Sequence, residues 1–255
     1  MTEASPAVIR SAANPQFKSL RLLAQDSTGW RKQGRIWLEG DHLGRAALAR
    51  GVEPQLAVYA ESCPAQQRLP APRTLVFADP LFAALSSLES PARMGLVLDL
   101  PAPPPFDPAV ATVVLDRVQD AGNVGAILRS AAAFGFHQVV ALKGTAALWS
   151  PKVLRAGMGA HFALRLFDAA EPALLEGLAV PLLATSSHEG ELLHRAALPW
   201  PCGWVFGHEG QGVSPELAAR AAAHVRIAQP GGEESLNVAA AAAICLHASA
   251  ASHPG

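Results

Sequence analysis

At 255 residues, half of them hydrophobic and 16% charged, the chain is long enough to bury two cores and too apolar to be a disordered polymer. Its formal net charge of −1 argues against a general nucleic-acid coat. No stretch approaches about eighteen strongly apolar residues, and Met1 to Pro6 lacks the basic and hydrophobic parts of a secretory leader, so neither a membrane span nor export is expected.

Asn14-Pro15 predicts a helix start, with Phe17, Leu20 and Leu23 on one face and Lys18 and Arg21 on another. Ile36-Trp37-Leu38 predicts a strand, and Glu39-Gly40-Asp41 a turn into a helix through Leu43, Ala47 and Leu48 that Gly51 ends. Strands are expected at Leu56–Tyr59, Thr74–Phe77 and Gly95–Leu100, with a helix over Pro80–Leu88. This alternation predicts a small α/β domain over residues 1–100. Residues 1–50 hold eight Lys or Arg against four acids, a local balance of +4. A basic segment on a near-neutral protein suits RNA contact, and equally a solvated face. Five prolines between Pro101 and Pro108 make a stiff stretch that can join neither helix nor central strand, which places a linker at 101–108.

The second domain, 109–255, opens with a buried strand at Ala111–Leu115, a polar loop from Asp116 to Asn123 and a helix over Val124–Phe134. Strands are expected at Gln138–Leu142, His161–Phe167 and Val180–Thr185, with a helix over Glu171–Leu178. The rest runs strand, glycine turn, helix, strand, glycine turn, helix. The first turn, Gly207-His-Glu209-Gly-Gln-Gly212, follows Trp204-Val-Phe206; the second, Gly231 to Asn237, follows Val225-Arg-Ile227-Ala. Between them Ser214-Pro215-Glu216 predicts a helix start with a hydroxyl cap. An alanine-rich helix closes the chain. Such a pattern sets both turns at the carboxyl edge of a parallel sheet, where α/β proteins bind ligands. Cys63, Cys202 and Cys245 are odd in number and widely spaced, without zinc-site spacing; they fit reduced thiols in a cytoplasm, and no metal is expected.

Each motif alone has a plain reading. Asn123-Val-Gly125-Ala-Ile-Leu-Arg129 opens a helix amino terminus able to hold an anion, but Asn123 also serves as a helix cap and Arg129 as a surface cation. Glu209 stands between glycines that make room for something, or it solvates a turn. Ser235-Leu-Asn237 caps the last helix, and Glu233 and Glu234 fit exposed turn charges. Cys245 and His247 lie on an apolar helix that suits core or interface packing.

Together, and in this order, Gln119-Asp-Ala-Gly-Asn123-x-Gly125-x-x-x-Arg129, Gly207-x-Glu209-x-x-Gly212-Val-Ser214 and Ile227…Gly231-x-x-x-Ser235-Leu-Asn237 resemble the SpoU (TrmH-type) family of RNA ribose 2′-O-methyltransferases, within the SPOUT superfamily. The likeness covers roughly 110–250. More loosely, Asn14-Pro, Leu38-Glu39-Gly40 and Leu85-Ser-Ser-x-Glu-Ser-Pro91 resemble the ribosomal-protein-like substrate-binding domain found in many members. The family often has proline at Ala121, Pro-Met at Ala228-Gln229, and serine at Gly157 and Ala239.

The resemblance implies an α/β fold: a carboxyl-terminal SPOUT domain, a parallel sheet with a trefoil knot, preceded by a small α/β substrate-binding domain. Periodicity would not suggest a knot, since knots are rare. It also implies S-adenosylmethionine as methyl donor, bound against Gly207, Ile227 and Leu236. It implies a homodimer whose last helix contributes to the interface, and an RNA substrate. Arg129 is the implied catalytic residue, with Asn123, Glu209, Ser235 and Asn237 holding the ribose, the loops or Arg129. The separate first domain favours ribosomal RNA. A tRNA methyltransferase, or a non-catalytic RNA-binding relative, are the alternatives.

Overall fold

A computed structural model of the chain describes residues 6–86, 90–186, 189–231 and 235–253. Two units account for its contacts, one running through Ala102 and including Trp149–Phe162, the other holding Pro103–Leu148 and the chain from Ala163 onward. The first unit contains β1 (Val8–Ile9), α1 (Pro15–Gln25), α2 (Gly29–Gln33), β2 (Arg35–Glu39), α3 (Asp41–Leu48), β3 (Leu56–Ala60), β4 (Thr74–Phe77), α4 (Asp79–Ala83) and β5 (Met94–Asp99). Asn14 caps α1 as expected, its side chain accepting from the Gln16 amide at 2.8 Å. The five strands lie in the order β1-β4-β3-β5-β2. β1, β4 and β3 run parallel, while β5 is antiparallel to both its neighbours. Gly95 leaves room for an indole: a Cβ there would fall 2.2 Å from the Trp37 ring. The helix expected over Pro80–Leu88 is the short α4, and residues 87–89 lie outside the described residues. β1 and α2 were not anticipated, because two and five residues are too short for a periodic signal.

The second unit begins with β6 (Thr112–Asp116), α5 (Ala121–Ala133) and β7 (Gln138–Leu142). The next helix, α6 (Pro151–Gly157), groups with the first unit, where it packs on β2 and α1. There the buried Glu39 carboxylate accepts from Ser86 Oγ at 2.5 Å and lies 3.7 Å from Arg155 Nη1. Gly159, at φ +89°, has no room for a side chain, since a Cβ would sit 2.5 Å from that of Ala46. Back in the second unit come β8 (Arg165–Ala170), β9 (Leu182–Thr185), β10 (Glu191–Leu192), β11 (Gly203–Gly207), α7 (Pro215–Arg220), β12 (Ala223–Arg226) and α8 (Val238–Ser252). The expected strand at His161–Phe167 is corrected. Ala160–Ala163 is a 3-10 turn and the strand starts later, at Arg165. Likewise Pro172–Gly177 is a 3-10 helix, not the longer α-helix predicted.

The seven strands run parallel in the order β10-β12-β9-β11-β6-β7-β8. β6 and β7 are buried at every residue, as a parallel sheet covered on both faces requires, which is why they are written as near-continuous apolar runs. α8 turns Ala242, Cys245, Leu246 and Ser249 inward, a spacing of three and four residues on one helical face. It packs on α5 and β11, and Ser249 Oγ accepts the Trp204 indole N–H at 2.9 Å, so the buried indole keeps its hydrogen bond.

Candidate active site

From β6 the chain steps outward to β7 and β8, then crosses to β9 on the other side, leaving β11 to fill the gap beside β6. This reversal makes the carboxyl ends of β6 and β11 a topological switch point, the position where open α/β sheets bind ligands. The last residues of those strands are Asp116 and Gly207.

The turn after β11 closes on itself. A Cβ on Gly207 would fall 2.1 Å from the backbone carbon of Gly212, so glycine is required here by the turn's own backbone. His208 and Gly212 exchange backbone hydrogen bonds at 3.0 and 2.8 Å, and Gly212 adopts φ +68°. The His208 Nδ1 accepts from the Gly210 and Gln211 amides at 3.0 and 3.2 Å. From beneath, the buried Asp116 carboxylate accepts from the Ser214 amide at 2.6 Å and from Arg117 Nε at 3.0 Å. The Ser214 hydroxyl makes no capping bond to α7, so the predicted hydroxyl cap is replaced by this backbone anchor. Arg117 reaches over to Gln211 Oε1 at 2.9 Å. It holds φ +61°, a conformation an L side chain rarely adopts, and its amide donates to Thr145 Oγ1 at 3.1 Å.

Glu209 ties this turn to the β6–α5 loop. Its carboxylate accepts from the Gln119 and Asp120 amides at 3.2 and 3.1 Å and from Asn123 Nδ2 at 3.2 Å. Burial alone would raise its carboxyl, but these donated bonds outweigh burial and hold it below the ordinary carboxylate range. Asn123 Oδ1 accepts in turn from Asn237 Nδ2 at 2.9 Å. Asn237 caps α8, its Oδ1 taking the Ala239 and Ala240 amides at 2.9 and 3.2 Å. Three motifs far apart in sequence thus form one relay, Glu209–Asn123–Asn237, ending on a helix amino terminus. Asn123 is not the cap of α5. Asp120 takes that role, accepting from the Asn123 amide at 2.8 Å.

The remaining predicted residues lie outside the relay. Ile227 directly follows β12 and is half-buried, Ser235 is exposed, and Leu236 is 40% exposed. Arg129 is exposed on α5, six residues or about 9 Å of helix rise beyond Asn123. It makes no hydrogen bond or ion pair among the described residues. Glu233 and Glu234 lie outside the described residues. Asp116, Arg117 and His208 were not singled out from sequence. For Asp116 a signal existed: an acid ending a buried apolar strand. Among the described residues no group of three or more His, Cys, Asp or Glu is placed to hold a metal ion.

The sequence profile of the SpoU rRNA Methylase family matches residues 111–247, more than half of the chain. The chain belongs to this family. It is 34% identical to an uncharacterized tRNA/rRNA methyltransferase of Synechocystis sp. over 98% of its own length and 97% of that protein. It is 28% identical to the 23S rRNA guanosine 2′-O-methyltransferase RlmP of Bacillus subtilis, over 94% of the chain and 97% of the relative. Among solved structures, the AdoMet-bound rRNA methyltransferase from Sinorhizobium meliloti superposes with a TM-score of 0.85 at 25% identity, covering 98% and 99% of the two chains. Two departures from the usual SpoU pattern have local reasons. Ala121 is the first residue of α5, where proline is favoured but not required. A side chain at Gly157 would meet the His161 ring at 2.5 Å, so glycine there makes room for the buried imidazole.

Proposed function

We propose that the chain transfers a methyl group from S-adenosylmethionine to a ribose 2′-hydroxyl of RNA, with ribosomal RNA as substrate. The Glu209–Asn123–Asn237 relay carries this reading, because it gathers the three SpoU motifs at the sheet's switch point. RlmP, a 23S rRNA methyltransferase similar over nearly the whole chain, supports the substrate class. The first relative's tRNA/rRNA description keeps tRNA as the second reading.

The chain fits the donor on its own chemistry. Beside Ile227, the side-chain oxygen of Gln229 is buried without a hydrogen-bond partner among the described residues, an acceptor suited to an amino group. Ile227 and Leu236 offer apolar walls, and the Gly207–Gly212 turn offers backbone. S-adenosylmethionine supplies an electrophilic methyl on a sulfonium. The protein's task is alignment and charge stabilisation. Asn123, Glu209 and Asn237 hold the two loops in register, and Ser235 stands beside them for the ribose. Arg129, a free cation among the described residues, positions the target phosphate and stabilises the oxygen as its charge develops. Its guanidinium, with a pKa above about 12, is unsuited to act as a base.

In this reading residues 1–100 bind substrate, 101–108 link, and 109–255 catalyse, with the segment between β11 and α8 threaded as the trefoil knot. The protein works as a cytoplasmic homodimer. α8 has no charged side chain and leaves Ala240, Ile244 and His247 exposed opposite its packed face, which supports its use as an interface. The test is single-turnover methylation of unmodified 23S rRNA and tRNA transcripts, paired with donor titration. Arg129→Ala should lower the rate on the order of a hundredfold with donor affinity little changed, the scale of a lost preorganised charge. Arg129→Lys should rescue poorly, since lysine lacks the planar two-nitrogen fork. Wild-type protein that binds no donor and methylates neither RNA would overturn the reading.

A further inference from the structure

Away from the relay, the first unit holds a cavity of about 460 Å³ lined by Asp41, Gln67, Pro91, Ala92, Arg93 and Met94. Its volume falls within the range of small-ligand sites. The wall is of two kinds. Pro91, Ala92 and Met94 offer apolar contact, whereas Gln67 and Asp41 offer an amide and a carboxylate. Gly40, at φ +94°, brings the chain from β2 sharply into α3, whose first residue is Asp41.

One arginine lines the cavity and two more neighbour its lining residues in contact or in sequence. Arg93 lines the cavity itself. Arg45 lies 3.6 Å from Asp41 and donates to the Gln66 carbonyl at 2.9 Å. Arg68 sits over the Tyr59 ring at 5.1 Å. All three arginines are exposed, and two are already held by neighbours, so little side-chain freedom is lost when an anion arrives. They come from α3, from the stretch after β3 and from the approach to β5. Only one belongs to the basic first fifty residues that suggested RNA contact.

We propose that this cavity receives an unpaired nucleotide of the substrate RNA, with the base inside and the flanking phosphates on Arg45, Arg68 and Arg93. Sequence-tolerant binding of unpaired RNA combines these parts: a surface for the base and cations for the backbone. Asp41 accepts hydrogen bonds only, so the site favours guanine, whose adjacent N1–H and N2–H2 donors match two carboxylate oxygens, over uracil with its single N3–H. The inference rests on the RNA methyltransferase reading above and locates its substrate contact.

The experiment measures binding of the full chain to an unmodified 23S rRNA transcript across a range of salt. Arg68→Ala combined with Arg93→Ala should weaken binding at least tenfold. The slope of log affinity against log salt should fall by roughly 1.4–1.8, the expectation for two lost phosphate contacts. Gln67→Leu should weaken binding severalfold without changing that slope. Donor affinity and melting temperature should stay at wild-type values in all of these variants. Arg31→Ala combined with Lys32→Ala on α2 removes the same charge elsewhere on the unit and should change binding little. If the α2 pair matches the cavity pair, general electrostatics replace the site and the proposal falls. It also falls if wild-type protein methylates the transcript while the cavity variants bind with unchanged affinity and slope. Failure of wild-type methylation would instead overturn the functional reading.

Discussion

The two glycine turns of the second unit look alike in sequence and differ in construction. The turn at Gly207–Gly212 is closed by its own backbone, by the His208 ring, by Asp116 and Arg117 from below, and by Glu209 from the side. In the stretch from Ile227 through Leu236, no described residue makes a hydrogen bond, the Gln229 oxygen is buried without a partner, and Leu236 faces solvent. The first turn takes its shape from the chain. Among its described residues, the second leaves the Gln229 oxygen unpaired and Leu236 40% exposed, as a surface completed by a ligand does. In the proposed reading the second turn would contact the donor, and the first would supply the rigidity that the contact depends on.

The largest effect should separate the two directly. Gly207→Val forces a side chain into the Gly212 backbone, while a Cβ at Gly231 meets nothing within 4 Å. Overpacking of this kind costs about 1–3 kcal/mol, or roughly 3–10 °C in melting temperature for a chain of this size, and donor binding should vanish. Gly231→Ala should melt as wild type does. Equal melting of the two variants by calorimetry would erase the contrast.

Glu209→Ala comes next. It strips the acceptor from two backbone amides and Asn123, and donor affinity should fall on the order of tenfold, about 1.4 kcal/mol. The native carboxyl is held low, so its contribution is fully present above the ordinary glutamate value of about 4.3 and is lost only as pH falls through the lowered one. Donor titrations between pH 6 and 9 should show no titration from this group. A midpoint in that window that disappears in Glu209→Ala would contradict the assignment.

Leu236→Ser should weaken donor binding severalfold and leave the melting temperature unchanged, because the side chain is already 40% exposed. A lowered melting temperature would make Leu236 a packing residue and the second turn less open than described. The smallest effect is expected from Arg117→Gly. Glycine relieves the φ of +61° while the links to Gln211 and to the buried Asp116 are lost, so donor affinity should drop about two- to threefold, with the relieved strain offsetting the lost ion pair in stability. Gln211→Ala should have the same effect, and combining the two should add little more.

Much of this architecture was legible in sequence where a physical signal is local. The buried strands β6, β7 and β11 are apolar runs bounded by turn residues, and Asn14-Pro15 marks the start of α1 without ambiguity. The site's members were legible as motifs, through family resemblance more than through chemistry. Their linkage was not, because nothing in the sequence near Asn123 says that its amide will face residue 237. Asp120 and Asn123 are both residues that cap helices, so local propensity could not choose between them. The left-handed backbone of Arg117 goes against propensity and is set by tertiary contacts. Nor does any local pattern announce that α6 packs with β2, since the partner that decides it lies more than a hundred residues earlier.

The contacts that assemble the relay span 86 to 114 residues. During synthesis at roughly 5–20 residues per second, about 6–23 s separate the appearance of Asn123 from that of its partner Asn237. For the 91 residues between the end of β6 and the end of β11, about 5–18 s at that rate, one edge of β6 waits for its permanent neighbour. The relay is therefore among the last features of the chain to come into being, and for more than a third of synthesis the nascent protein carries an apolar strand edge still to be covered.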